Sequence, residues 1–182
     1  MNQTALKFLF TMALSLGATS SYASSGNVED RLVEAKFSLL DAVAKAEALS
    51  GPAISAKFEL DDTGELVYSV YTVPQGIDKL AEEVDLTEVS GSATQIPISL
   101  KTEIFADKEH ISRAASQLTV MQMSYLSLRE AIERALMAQP GIAFDVHNPT
   151  VRTHRPVADV MIRTTDRHVI TVTIDLISGK RI

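Results

Sequence analysis

Three histidines near the C-terminal end are the residues of this chain best suited to hold a metal ion. They are accompanied by three aspartates, and the cluster comprises His147, His154, His168, Asp145, Asp159 and Asp166. Imidazole nitrogens and carboxylate oxygens are ligands that Zn²⁺ and Cu²⁺ accept, provided that they converge within about 2 Å of the ion. The spacing shows no such convergence, and solvated histidines beside turns are the favoured interpretation. A sensor of metals or small ligands is therefore the alternative function.

Acidic residues offer two further kinds of site. Asp61, Asp62 and Glu65 carry oxygen atoms that Ca²⁺ could use, but an Asp-Asp-x-Gly run between two alternating apolar segments is what a hairpin turn requires. Asp85 and Asp175 are each flanked by apolar residues and could act as paired acids. A position on the solvated face of a strand explains both aspartates more simply, so we predict a turn and two exposed carboxylates.

Composition excludes several classes of protein. The 182 residues include no cysteine, which removes a thiol nucleophile, disulfides and cysteine-ligated metal centres. A net charge of -6 argues against nucleic acid as a partner. The sequence contains no Gly-x-Ser-x-Gly elbow, His-Glu-x-x-His helix or phosphate-binding loop. These observations predict a protein that is not an enzyme and needs no cofactor.

The first 23 residues have the pattern of a secretory signal. Lys7 is the only charged residue before Glu29, and it precedes an apolar run at residues 8–16 and small residues that end at Ala23. The run is shorter than the roughly 20 residues of a membrane-spanning helix, so an uncleaved anchor is the less favoured alternative. We expect cleavage after Ala23, a periplasmic or secreted protein, and no transmembrane segment in the mature chain.

The elements that must position any site occur in the same order twice. A shift of 89 places aligns residues 37–46 with residues 126–135, and both segments carry an apolar stripe at helical spacing. Ser38 with Asp41, and Ser127 with Glu130, have the spacing of a capping box. Residues 28–35 keep the helical period, so the first helix could begin there and run through Ser38.

After each helix the apolar period shortens to that of strands. The first half predicts strands at 54–60, 65–73 and 80–86, and the second half predicts strands at 142–147, 157–164 and 168–176. Residues 91–124 read as a connector with an edge strand at 95–103 and a helix that Asp107 caps. The fold class is α+β, with two repeats of a helix and an antiparallel three-stranded meander.

The repeat pattern resembles the PepSY domain. The resemblance rests on Leu-x-x-Ala-(Ile/Val)-x-x-Ala, a hairpin, and the closing run Ile174-Asp175-Leu176-Ile177-Ser178-Gly179-Lys180. Residues 125–182 match better than residues 24–90, where the closing glycine is displaced to Gly91. The resemblance implies a non-catalytic binding module that modulates or inhibits a secreted or envelope peptidase, with a protein or peptide as its partner.

The signal pattern makes a direct prediction about processing. Because cleavage follows small residues at the end of the apolar run, the exported protein should begin at Ser24. Intact-mass measurement of protein exported by its native host checks this. Retention of Met1 in a membrane fraction would contradict the predicted compartment.

Overall fold

The computed structural model describes residues 27–79, 85–105, 108–147 and 149–182, and has an α+β fold. The predicted signal, the expected cap Asp107 and residues 80–84 of the predicted third strand lie outside the described residues. The helices are α1 (Val28–Arg31), which continues into a 3₁₀ turn at Leu32–Glu34, α2 (Leu39–Ser50), α3 (Lys108–Gln122) and α4 (Leu128–Ala138). The strands are β1 (Ala53–Leu60), β2 (Leu66–Thr72), β3 (Leu86–Ser92), β4 (Lys101–Phe105), β5 (Ile142–Asp145), β6 (Thr150–Arg152), β7 (Arg155–Arg163) and β8 (Val169–Asp175).

All eight strands form one antiparallel sheet. Its order is β4-β3-β2-β1-β5-β7, with β8 on the far side of β7 and the short β6 beside the first residues of β7. We call β1, β2 and β3 the N-terminal meander and β5, β7 and β8 the C-terminal meander. The two meanders meet where β1 pairs with β5, with Lys57 opposite Asp145.

Helices cover both faces of the sheet. Helices α2 and α4 pack against each other and on one face, where Phe37 meets the rings of Phe58 and Tyr68. Helix α3 lies on the opposite face. Its residues line a small pocket with Ser55 and Lys57, whose side chains alternate along β1 with those of the core residues. Four successive residues of β1, 53–56, are consequently buried.

Both predicted capping boxes are present. The Ser38 hydroxyl accepts a hydrogen bond from the Asp41 N–H at 3.1 Å, and the Asp41 carboxylate accepts one from the Ser38 N–H at 2.9 Å. Ser127 and Glu130 make the same exchange at 3.2 and 2.8 Å. The prediction that the first helix runs through Ser38 is wrong, because a capping residue is extended and Ser38 has ψ of 163°.

The third strand begins later than predicted. Strand β3 starts at Leu86, where the sequence pattern placed the end of the strand, and the boundary expected at residue 90 falls inside it. In the sequence, residues 73–85 separate β2 from β3, whereas only residues 164–168 separate β7 from β8. The edge strand predicted at 95–103 is misplaced, because residues 95–100 are not a strand and the edge strand β4 runs over Lys101–Phe105.

Equivalent backbone contacts precede the two capped helices. The Lys36 N–H donates to the carbonyl of Ala93, just after β3, and the Tyr125 N–H donates to the carbonyl of Leu176, just after β8, both at 2.9 Å. The Ala93 N–H donates in turn to the carbonyl of Leu66 in β2, and the Leu176 N–H donates to the carbonyl of Pro156 in β7, also at 2.9 Å. The end of each meander thus holds the start of its own helix.

The caps can be tested by removing their hydroxyls. Ser38→Ala and Ser127→Ala should each lower the free energy of unfolding by about 1 kcal/mol, because the backbone N–H of Asp41 or of Glu130 loses the hydroxyl that accepts its hydrogen bond. Urea unfolding followed by circular dichroism measures the change. Ser112→Ala, at an exposed position inside α3, is the matched control and should be neutral; equal effects in all three variants would contradict the assignment.

Candidate binding cleft

A cleft of about 940 Å³ opens between α3 and the β6–β7 hairpin. Its helical wall presents Lys108, Glu109, Ser112, Arg113 and Ser116, and its strand wall presents Thr150, Arg152 and Asp159. The two walls come from segments far apart in sequence, which the sheet and α3 bring together. The described lining carries three cationic and two anionic side chains.

The strand wall is held by an ion pair. Both guanidinium Nη atoms of Arg152 contact the carboxylate of Asp159, one at 3.1 Å, and the Thr173 hydroxyl donates to the same carboxylate at 2.6 Å. Because a bidentate pair fixes the plane of the guanidinium, Arg152 presents its remaining N–H groups in a defined direction. This wall can therefore donate hydrogen bonds to an acidic group or to a carbonyl.

The helical wall has a longer ion pair and a serine hydroxyl that is hydrogen-bonded within the helix. Arg113 lies 3.3 Å from Glu109 one turn earlier, and both side chains are more than half exposed. The Ser116 hydroxyl donates to the carbonyl of Ser112 at 3.1 Å. Histidine and cysteine are absent from the described lining, whose polar groups are hydroxyls, carboxylates, an amide and cationic side chains.

Side-chain contacts fix α3 over the sheet. The buried Gln117 amide donates to the carbonyl of His147 at 2.5 Å, and the Gln122 amide donates to two carbonyls just before residue 80 at 2.7 and 2.8 Å. His110 stacks on Phe105 of β4, with ring centroids 4.3 Å apart. The helical wall of the cleft is therefore tied to both meanders.

The three histidines predicted as candidate metal ligands lie at separate places. The Nδ1 atom of His147 lies 2.5 Å from an Asp145 oxygen at the end of β5. His154 occupies the turn between β6 and β7 with φ of 63°, and His168 lies 3.6 Å from Asp166 in the turn before β8. In the described ranges, no three His, Asp or Glu residues are grouped so that they could hold a metal ion.

Asp85 and Asp175, the two candidate paired acids, occupy unlike environments. Asp85 is exposed and bonds to the Gln75 side chain at 2.8 Å, as expected of a solvated carboxylate. The prediction that Asp175 is solvated is wrong, because its side chain is 1% exposed. It accepts from the N–H groups of Ile177 and Ser178, each at 2.9 Å, and pairs with Arg155 at 2.5 Å.

This environment strongly favours the ionised form of Asp175. The backbone N–H of Ser178, followed by the guanidinium of Arg155, lowers the pKa of Asp175 to about 2. Gly179, at φ of 70°, completes the turn by donating from its N–H to the Asp175 carbonyl at 2.8 Å. The Asp-x-x-Ser-Gly run thus forms a turn after β8 that the buried Asp175 carboxylate stabilises, and we call this turn the lock at Asp175.

The acidic run after β1 is a turn, as predicted. The Asp61 carboxylate accepts from the N–H groups of Thr63 and Glu65, both at 2.9 Å, and Gly64 has φ of 79°. The Thr63 hydroxyl is the largest cause that lowers the pKa of Asp61. The Asp61 oxygen that could have served a cation is used by the turn itself.

Sequence reasoning missed the cleft. Strand β6 has three residues, too few to show a period, and Arg152 and Asp159 carry no motif. A usable signal was the pair of arginines, Arg152 and Arg155, that flank a two-residue turn, since such a turn places its flanking residues opposite each other.

Comparisons with known proteins give one distant structural likeness. No family model and no curated protein matches the chain. The fold is similar to the crystal structure of a "putative lipoprotein" from Clostridium difficile 630, at a TM-score of 0.40 and 19% identity, over 81% of this chain and 91% of that chain. Within the described part of this protein, none of the helices is long and apolar enough to span a membrane.

The lock at Asp175 predicts a pH-dependent stability. Its folded pKa is lower than the ordinary value of 3.8, so its charge stabilises the fold above about pH 4, and this contribution is lost as the pH falls towards 2. Asp175→Asn should cost on the order of 2 kcal/mol at pH 7. The difference from the parent should narrow between pH 4 and pH 2.

Urea unfolding at several pH values measures this difference. Asp85→Asn is the matched control, because Asp85 is exposed, and its effect should be much smaller at every pH. A difference between the parent and Asp175→Asn that stays constant down to pH 2 would show that the charge of Asp175 contributes nothing.

Proposed function

We propose that this chain is an exported, non-catalytic binding module that holds a segment of a protein or peptide partner in the α3 cleft. The cleft itself is the observation that carries the proposal, because its volume lies within the 300–1,000 Å³ range of ligand pockets and its described walls present fixed charges of both signs. The signal pattern at residues 1–23 supports export to the periplasm or beyond.

The charges of the cleft favour a peptide over an apolar ligand. Arg152 and Asp159 offer a donor and an acceptor on one wall, and Arg113 and Glu109 offer the same combination on the other. A peptide segment presents carbonyl and N–H groups together with charged side chains, and can satisfy both kinds of group. An apolar ligand would remove these ion pairs from water and offer them no hydrogen bond in return, which costs binding energy.

The partner that we propose is an envelope or secreted peptidase. The proposal rests on the resemblance of residues 125–182 to the PepSY domain, whose members restrain or bind peptidases. In this mechanism a segment of the enzyme docks between α3 and β6, and the module modulates the activity without being cleaved.

We propose further that the two halves are divergent copies of one PepSY-like unit. Three observations support this: the two capping boxes, the matched contacts of Lys36 and Tyr125, and the antiparallel meeting of the first strand of each half. The paired register places Ser92, not Asp85, where Asp175 stands. Ser92 lacks the second oxygen of a carboxylate, which agrees with the diverged ending of the first half.

Filling the cleft tests the binding role. Ser116→Trp places an indole in the cleft and should abolish binding to peptides selected from an array by the parent protein. Thr119→Trp is the matched control, because Thr119 is exposed on the same helix, also bonds to a carbonyl four residues earlier, and is outside the described lining. Fluorescence anisotropy of the labelled peptides gives the dissociation constants.

Two results would contradict the proposed function. The first is equal binding by Ser116→Trp and Thr119→Trp, which would place the partner elsewhere. The second concerns the peptidase: the intact protein should change the rate at which a thermolysin-type metallopeptidase cleaves a reporter peptide, and the effect should saturate. If the peptidase merely degrades the module, or ignores it at every concentration, the peptidase is not the partner.

A further inference from the structure

Strand β4 forms an edge of the sheet. It pairs with β3 on one side, and no other described strand lies on its outer side. Successive residues of a strand direct their N–H and C=O groups to opposite sides, so the outer side of β4 carries a row of unpaired backbone groups. The other edge, β8, is covered differently, since Ile182 donates to Thr173 at 3.0 Å and Arg181 bridges to Ile174.

Exposed apolar side chains stand at the β4 edge. Ile104 is 65% exposed, and Leu100, which directly precedes the strand, is 43% exposed. The alternation of side chains places Leu100, Thr102 and Ile104 on one face, and Lys101 and Glu103 on the other. The pattern is apolar at both ends of one face and oppositely charged on the other.

This pattern is complementary to itself. In an antiparallel pair centred on Thr102, each Thr102 lies opposite the Thr102 of a second copy. Lys101 of each copy then lies opposite Glu103 of the other, and Leu100 lies opposite Ile104. Opposite charges and apolar groups that face each other directly across strands stabilise a pair, whereas like charges there destabilise it.

We propose that two copies of this chain associate through β4, in an antiparallel pair centred on Thr102, and so join their sheets into one. A two-fold axis through Thr102 makes both halves of the contact identical, which is the commonest symmetry of soluble oligomers. Two cross-strand ion pairs and two apolar pairs form at once. The interface leaves the α3 cleft free, because none of the residues that form it lines the cleft.

The charges select a second copy over an unrelated strand. A lysine on an edge strand usually prevents pairing with another strand. In the register centred on Thr102, however, Lys101 of each copy lies opposite Glu103 of the other copy, and the two charges neutralise each other. If the pair were centred on residue 103 instead, the Glu103 side chains of the two copies would face each other and repel. Since a single pair of short strands buries less surface than a standard interface of about 1,600 Å², we expect a monomer–dimer equilibrium that depends on concentration.

Charge reversal tests the proposal. In Lys101→Glu, positions 101 and 103 are both glutamate, so the facing side chains of the two copies are all negative. In Glu103→Lys, the same positions are both lysine, so the facing side chains are all positive. Sedimentation equilibrium of the purified protein should show that each variant associates at least about tenfold more weakly than the parent. An equimolar mixture of the two variants should restore dimers, because each mixed pair has opposite charges again.

A cross-link tests the register. The chain has no cysteine, so Thr102→Cys introduces the only thiol. With oxidised glutathione as the oxidant, two thiols at the centre should lose two electrons and two protons to form a disulfide between copies. Ile104→Cys is the matched control, because it keeps both ion pairs and residue 104 of one copy lies opposite residue 100 of the other, so its cross-linking should be slower.

Each outcome decides the question. Dimers that dissociate with either charge reversal and re-form in the mixture support the β4 contact. A monomer at every concentration overturns it, as do dimers that neither variant weakens. A monomer whose β4 binds an added peptide strand also overturns it, and would identify the edge as a site for another partner. Binding of peptides in the α3 cleft is measured separately and is unaffected by these results.

Discussion

The short antiparallel pairing of β1 with β5 is the interaction on which the rest of the structure depends. There the Val146 N–H donates to the Ala56 carbonyl at 2.8 Å, and Lys57 lies opposite Asp145. Because this is where the two meanders join, α2 and α4 meet over the same place and share one hydrophobic core. Small residues in β1, notably Ser55 and Ala56, let helices approach from both faces.

The parts of the fold that local chemistry determines could be predicted from the sequence. The two capping boxes and the Asp61 turn need only residues within a few positions, and all three are present. The α+β class and most strands followed from the change of apolar period. The third strand was misplaced because β3 contains Ser90, Gly91 and Ser92, which resemble a polar connector until pairing with β2 and β4 accounts for them.

The candidate cleft could not be predicted, because its residues share no local pattern. Arg113 and Arg152 line the same cleft only because α3 packs across the sheet. The hydrogen bond that positions α3, from Gln117 to His147, joins residues thirty positions apart. Asp175 shows the opposite error. An acid between apolar residues looked like a solvated position, but the N–H groups of the following turn and Arg155 supply all that a buried carboxylate requires.

The unequal connections within the two meanders bear on the order in which the chain folds. Residues 164–168 close the β7–β8 hairpin with a backbone bond from Thr164 to His168 at 2.8 Å, whereas β2 and β3 are separated by residues 73–85. Because the entropic cost of closure grows with the number of residues in between, pairing β2 with β3 costs about 1 kcal/mol more than pairing β7 with β8. The β7–β8 hairpin is thus expected to pair first, although it follows the other described strands in the sequence. Until it forms and brings β5 with it, β1 remains an open edge whose unpaired backbone groups are accessible to the strands of other chains.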